Sequence, residues 1–141
     1  MKKTLFALTM MFAGQMFAGG FYLQLGNPEA SARAAKMGAA VTVKVAGCHD
    51  PASAKVTANA IGTVNGERRT IPLELKPLGE SGFYALTQQW PKEGKWVIQF
   101  QANAEDLVTS TLVAAGPKVD YLHPRSEMKA FGAADVEAML Q

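Results

Sequence analysis

A chain of 141 residues has room for one ordinary domain and little more. Hydrophobic residues make up 48% and charged residues 18%, so a packed core is available and wholesale disorder is excluded. Fourteen basic against twelve acidic residues leave a net charge of +2, short of the excess a dedicated nucleic-acid binder carries, and a single cysteine excludes an intramolecular disulfide and any multi-thiolate zinc site.

Met1-Lys2-Lys3 opens the chain with positive charge. Thr4 to Leu25 follows as 22 uncharged, mostly apolar residues, and no charge appears between Lys3 and Glu29. Gly26, Asn27 and Pro28 then break a helix, and Ala30-Ser31-Ala32 places small side chains at A-x-A spacing. This order predicts a secretory signal peptide over residues 1–32, cleaved after Ala32. The lysines stay on the cytoplasmic face while the apolar run enters the membrane as a helix. A second reading stays open: 22 residues are enough to span a bilayer as an uncleaved anchor, with membrane contact through residues 4–25. Gly14, Gln15, Gly19, Gly20 and Gln24 dilute that run. Both readings send the remaining chain to the periplasm or the extracellular side, in one case still anchored to the cytoplasmic membrane. Val45-Ala46-Gly47-Cys48 matches a bare lipobox, but Lys44 precedes it and the apolar run ends about twenty residues earlier.

Residues 33–38 read as a short lead-in, and the chain beyond residue 38 has strand periodicity. Val41, Val43 and Val45 alternate with Thr42, Lys44 and Ala46. Lys55 to Val64 is rich in Val, Thr and Ile, and Asn65-Gly66 then signals a tight hairpin, because both residues tolerate positive φ. The return strand carries Ile71, Leu73 and Leu75, with Pro72 marking an edge. After a turn over 77–82 come a strand from Phe83 to Trp90, a turn over 91–94, and a strand from Lys95 to Ala102. That last strand sets Trp96, Ile98, Phe100 and Ala102 on one face, with Trp96 and Phe100 as core anchors. Asn103 to Asp106 turns the chain, Val108 to Ala114 returns, and Val119 to Leu122 reads as a last short strand. About seven short strands at this spacing predict an all-β, immunoglobulin-like antiparallel β-sandwich over residues 39–122. Residues 123–141 read as a loop and a short helix from Ala133 to Leu140, with Asp135 and Glu137 near its start. The helix is expected to cap the sandwich; the alternative is a partner-binding helix.

Residues 82–101 read Gly-Phe-Tyr-Ala-Leu-Thr-Gln-Gln-Trp-Pro-Lys-Glu-Gly-Lys-Trp-Val-Ile-Gln-Phe-Gln. The order Gly82-Phe83-Tyr84, Pro91, Gly94 and Trp96 resembles the YtkA-like and FixH-like exported domains, and is similar to the wider group of CopC-type periplasmic sandwiches. The clear match covers those 20 residues and a looser one extends over 39–115. The resemblance implies a sandwich outside the cytoplasm. FixH-like proteins are associated with copper delivery to oxidases and CopC-like ones with periplasmic copper.

Cys48-His49-Asp50 is the one dense group of coordinating side chains, set between Gly47 and Pro51 where the first predicted strand ends. A soft thiolate beside an imidazole suits copper(I) or zinc, with His123 or Met128 as a further ligand. The competing reading makes Cys48 a small semi-buried apolar residue and His49-Asp50 a polar turn pair. An unpaired exported thiol can also cross-link two chains. Ser110 and Ser126 lack a nucleophile elbow, Cys48 and His49 are sequence neighbours that point apart in a strand, and Glu93, Glu105 and Asp106 fall in turns. Arg68-Arg69 reads as a charged hairpin edge that discourages strand pairing.

The expectation is therefore a non-enzymatic, exported binding or accessory module with no certain cofactor, associated with a membrane protein complex and not with nucleic acid. The alternative is a copper- or zinc-handling protein using Cys48, His49 and His123.

Overall fold

Alternating apolar residues build two antiparallel sheets that share one core. A computed structural model of the chain describes residues 20–47 and 50–141. In chain order the elements are β1 (Phe21–Gly26), a 3-10 turn (Pro28–Ala30), α1 (Ala32–Lys36), β2 (Ala39–Gly47), a second 3-10 turn (Pro51–Ser53), β3 (Lys55–Val64) and β4 (Glu67–Leu73). They continue with β5 (Lys76–Pro77), β6 (Phe83–Thr87), β7 (Trp96–Ala104), β8 (Leu107–Ala115), β9 (Arg125–Glu127) and α2 (Ala133–Leu140). The first sheet runs β1-β2-β6-β5 and the second β4-β3-β7-β8-β9. Together they form a β-sandwich.

The inward faces follow the period of two. Val41, Val43 and Val45 from β2 meet Trp96, Ile98, Phe100 and Ala102 from β7, all buried in one cluster. The hairpin between β3 and β4 turns at Asn65 and Gly66, with φ of 51° and 80°. Both anchors expected of β7 are in place, and Pro72 lies on β4, an edge strand. Each tryptophan also holds a loop: the Trp90 indole N–H donates to the Gly116 carbonyl at 3.0 Å and that of Trp96 to the Glu93 carbonyl at 2.9 Å.

The sandwich expected over 39–122 is larger at both ends. Residues 21–32, expected in the leader, contribute β1 and the start of α1. Phe21 and Leu23 are buried in the core while Tyr22 and Gln24 are exposed, and β1 pairs with β2 from Phe21↔Gly47 to Gly26↔Thr42. An uncharged strand that alternates Tyr and Gln with Phe and Leu has the same overall hydropathy as the end of an apolar leader, so composition alone did not separate them. The expected lead-in over 33–38 is mostly α1, whose Ala34 packs on Leu78 and Ala85 over the outer face of the first sheet. Residues 1–19 lie outside the described residues, as do Cys48 and His49. Among the described residues no helix is long and apolar enough to cross a membrane.

Two strand boundaries also move. β6 stops at Thr87 because Gln89 takes over the pairing with its side chain: its amide accepts from the Glu74 N–H at 2.9 Å and donates to the Glu74 carbonyl at 3.0 Å. The strand expected over 119–122 is a single bridge, Val119 to Ala115, and the real added strand is β9 further on. α2 occupies its expected span and covers the outer face of the second sheet, where Phe131 and Val136 pack on Val97 and Leu112.

Candidate functional site

The loop that contains the Cys48-His49-Asp50 group joins β2 to β3 at one end of the sandwich. On its near side Gly47 holds φ at +118°, and its Cα faces the Gly20 carbonyl so closely that a side chain would not fit. On its far side Asp50 is committed to the backbone. Its Oδ1 accepts the Ala52 N–H at 3.1 Å, and its carbonyl accepts the Ser53 hydroxyl at 2.8 Å. This is an N-cap on the 3-10 turn, with Pro51 in the position where a missing N–H does no harm. Pro51 in turn packs against Gly82 (φ +72°), whose added Cβ would lie 2.5 Å from Pro51 Cβ. So the acid of the group is a structural cap on the 3-10 turn.

His123 is at the other end. Its loop, residues 116–124, shares a cleft of about 360 Å³ with Asn27, Pro28, Ala39 and Ala40, at the start of β2. Gly47 is eight residues further along that strand, roughly 26 Å at the usual rise. The His123 Nδ1 lies 2.9 Å from Asp120 Oδ1 and its side chain is 78% exposed. The fold therefore does not bring His123 to the residues that flank Cys48 and His49. The ligand set expected from the sequence joins His123 to Cys48 and His49, which lie outside the described residues, and the described residues flanking those two are at the other end of β2 from the His123 loop. Met128 is exposed after β9. Among the described residues no group of three or more His, Cys, Asp or Glu side chains converges on one point.

Ser126 shares a 2.9 Å hydrogen bond with the Thr111 hydroxyl, and Ser110 is fully buried on β8.

A scan against protein-family models, a search of curated proteins and a search of solved structures each returned no match.

Among the described residues, the densest charged cluster is one that sequence reasoning missed. Arg125 on β9 pairs with Glu127 at 2.9 Å and with Asp135 on α2 at 3.0 Å, and its guanidinium lies 5.1 Å from the centroid of Phe131. Glu127 also meets Lys129 at 3.2 Å. The Arg125 hydrogen bond, followed by that of Lys129, holds the Glu127 carboxyl below its ordinary range. The Gly132 N–H, and then Arg125, does the same for Asp135. Arg125 is held more firmly protonated, first by its bond to Glu127. The cluster ties α2 to the sheet edge. Its sequence signal was present, as alternating signs over 125–135 next to an aromatic residue, but it reads as ordinary surface charge without the fold.

Proposed function

We propose that this chain is an exported, immunoglobulin-like β-sandwich that works by binding, as an accessory module outside the cytoplasmic membrane. The observation that carries the export reading is where β1 begins. Between residues 14 and 22 the one triplet with small first and third residues is Ala18-Gly19-Gly20, and Phe21 opens β1 directly after it. Thr4 to Phe17 is then an uncharged run of 14 residues, inside the range of about 7–15 for the core of a signal peptide. Cleavage after Gly20 releases every strand of the sandwich. Cleavage after Ala32 would remove β1 and its buried Phe21 and Leu23. The leader of this reading is accordingly residues 1–20.

The strand order supports the immunoglobulin comparison. β1-β2-β6-β5 corresponds to the A-B-E-D sheet of such domains and β4-β3-β7-β8 to C′-C-F-G, with β9 as an addition. Binding modules of this architecture present their end loops. Here the end that holds the loops 27–38, 88–95 and 116–124 carries the cleft beside Pro28 and Ala40, and Leu122, which is 74% exposed.

Intact-mass measurement of the protein recovered from the exporting cell tests the reading. The expected species is residues 21–141 with Phe21 at its N-terminus. A species beginning at Met1 or at Arg33 rejects it. Capture of the exported protein with a membrane complex would identify the partner. The second reading, copper(I) or zinc handling through Cys48 and His49, is supported by the adjacency of a thiol and an imidazole in the sequence.

A further inference from the structure

We propose that a notch in the second sheet, where β4 leaves β3, takes an extended segment of a partner polypeptide as an added strand. The notch is separate from the end loops named above and does not depend on export.

β3 is longer than the strand beside it. Its ladder with β4 stops at Ala58↔Leu73, whereas its ladder with β7 begins at its first residue, Lys55↔Asn103. Lys55, Val56 and Thr57 therefore have a strand on one side only. The chain departs because Glu74 is held elsewhere: its N–H and its carbonyl both bond the Gln89 amide, which carries it from the second sheet towards β5 of the first. In an antiparallel ladder successive residues turn their N–H and C=O groups to alternate sides. At least one of the three residues thus presents both groups to the open side. Among the described residues no backbone group of a turn or loop bonds them there. Such an edge invites a further strand.

A cleft of about 450 Å³ opens beside these groups, lined by Val56, Leu73, Leu75 and Tyr84 among others. Val56 pairs with Ala102 and Tyr84 with Val43, both buried in the core, so Val56 and Tyr84 stand on the facing inner sides of the two sheets. Val56 and Leu75 are only partly buried against the core cluster. Open backbone groups beside an apolar pocket are the two parts of recognition by strand addition: the first gives affinity and the second selects a side chain. The register sets the pattern of the segment, because directly opposed residues share a face. The residue opposite Val56 enters the cleft and is apolar, and those opposite Lys55 and Thr57 face solvent. Lys55, at the end of the open edge, and Lys76, next to Leu75, are exposed. Among the described residues no carboxylate pairs with either. Charge complementarity therefore places an acid opposite Lys55. Read antiparallel to β3, the commoner ladder, the segment is polar, apolar, acidic.

NMR titration of the protein as isolated with the capped pentapeptide Ser-Thr-Ile-Asp-Ser tests the site. So small a contact is expected to bind in the millimolar range, so the peptide is taken to about 10 mM. Saturable shifts are expected at the amides of Lys55, Val56, Thr57 and Leu75. Serine in place of the peptide's isoleucine is expected to weaken binding about tenfold or more, as loss of a buried apolar side chain does. N-methylation separates strand addition from apolar contact alone. Of two peptides, one methylated at Ile and one at both Thr and Asp, one is expected to lose binding and the other to keep it, because alternate N–H groups face β3. Lys55→Glu changes only an exposed side chain, and is expected to reverse the preference towards a peptide with Lys in place of Asp. Absence of saturable shifts at the named amides overturns the proposal. So does full binding by both N-methylated peptides, or a Lys55→Glu protein that still prefers the Asp peptide.

Discussion

One carboxylate oxygen of Asp135 accepts the Gly132 N–H at 3.0 Å while the other accepts from Arg125 Nη2, also at 3.0 Å. The same side chain thus starts α2 and fastens it to β9. Docking of α2 covers Val97 and Leu112, apolar residues that would otherwise face solvent from the second sheet.

That fastening is sensitive to acid. Glu127, through Arg125, and Asp135, through Gly132 and Arg125, are both held below the ordinary carboxylate range. A depressed folded-state pKa stabilises the fold above the unfolded value and loses that contribution as pH falls through the folded value. Protection of amides over residues 125–140 is therefore expected to drop below about pH 4, ahead of β3 and β7. Hydrogen exchange followed by NMR reads this directly. Arg125→Ala is expected to move the titration of both acids upward and to loosen α2 already at neutral pH. Unchanged titrations in that variant would reject the link.

Gly62 on β3 is a packing position. A Cβ there would lie 2.5 Å from Cδ2 and Cε3 of Trp96 and 2.8 Å from the Lys95 carbonyl. Gly62→Ala is expected to destabilise the domain by about 1–3 kcal/mol, the range for overpacking a filled core. Urea denaturation monitored by circular dichroism measures it. An unchanged midpoint would mean that β3 can shift away from Trp96.

The domain boundary has a direct consequence for truncation. A chain that begins at Phe21 is expected to melt as a cooperative unit. One that begins at Arg33 loses Phe21 and Leu23, whose burial stabilises by about 1.5–3 kcal/mol each, together with the ladder to β2. Its thermal transition should be lower and broader, or absent. Equal melting of the two would remove β1 from the cooperative core.

The position of His123 separates it from any chemistry at the opposite loop. If copper(I) or zinc binds through Cys48 and His49, His123→Ala is expected to leave stoichiometry and affinity unchanged, whereas Cys48→Ala abolishes binding. Isothermal titration of the three proteins decides this. A loss of affinity in His123→Ala would require a ligand from a second molecule.

Most of the sandwich was legible because period-2 alternation and turn chemistry are local. β3 and α2 occupy their expected spans, and the Asn65-Gly66 turn carries the positive φ values that its residue types allow. β1 was not legible, since Phe-Tyr-Leu-Gln-Leu has no charge to mark it off from the apolar run before it. β9 was missed because Arg-Ser-Glu has no apolar alternation, and pairs with β8 through contacts that only the tertiary fold provides. The grouping of Cys48, His49 and His123 rested on residue type alone. Sequence distance says nothing about which end of a sandwich a loop occupies, and Asp50, which looked like part of a ligand group, is occupied by capping the turn.

The two indoles give the molecule an optical reporter of its own. Trp90 and Trp96 are both buried and both hydrogen-bonded to carbonyls of the loops at one end. Their emission is expected at short wavelength in the folded protein and to move red on unfolding. A ligand that seats among those loops would perturb the fluorescence, whereas a metal taken up at the opposite loop would leave it nearly silent. Without any label, steady-state fluorescence can therefore tell at which pole of the sandwich a candidate ligand acts.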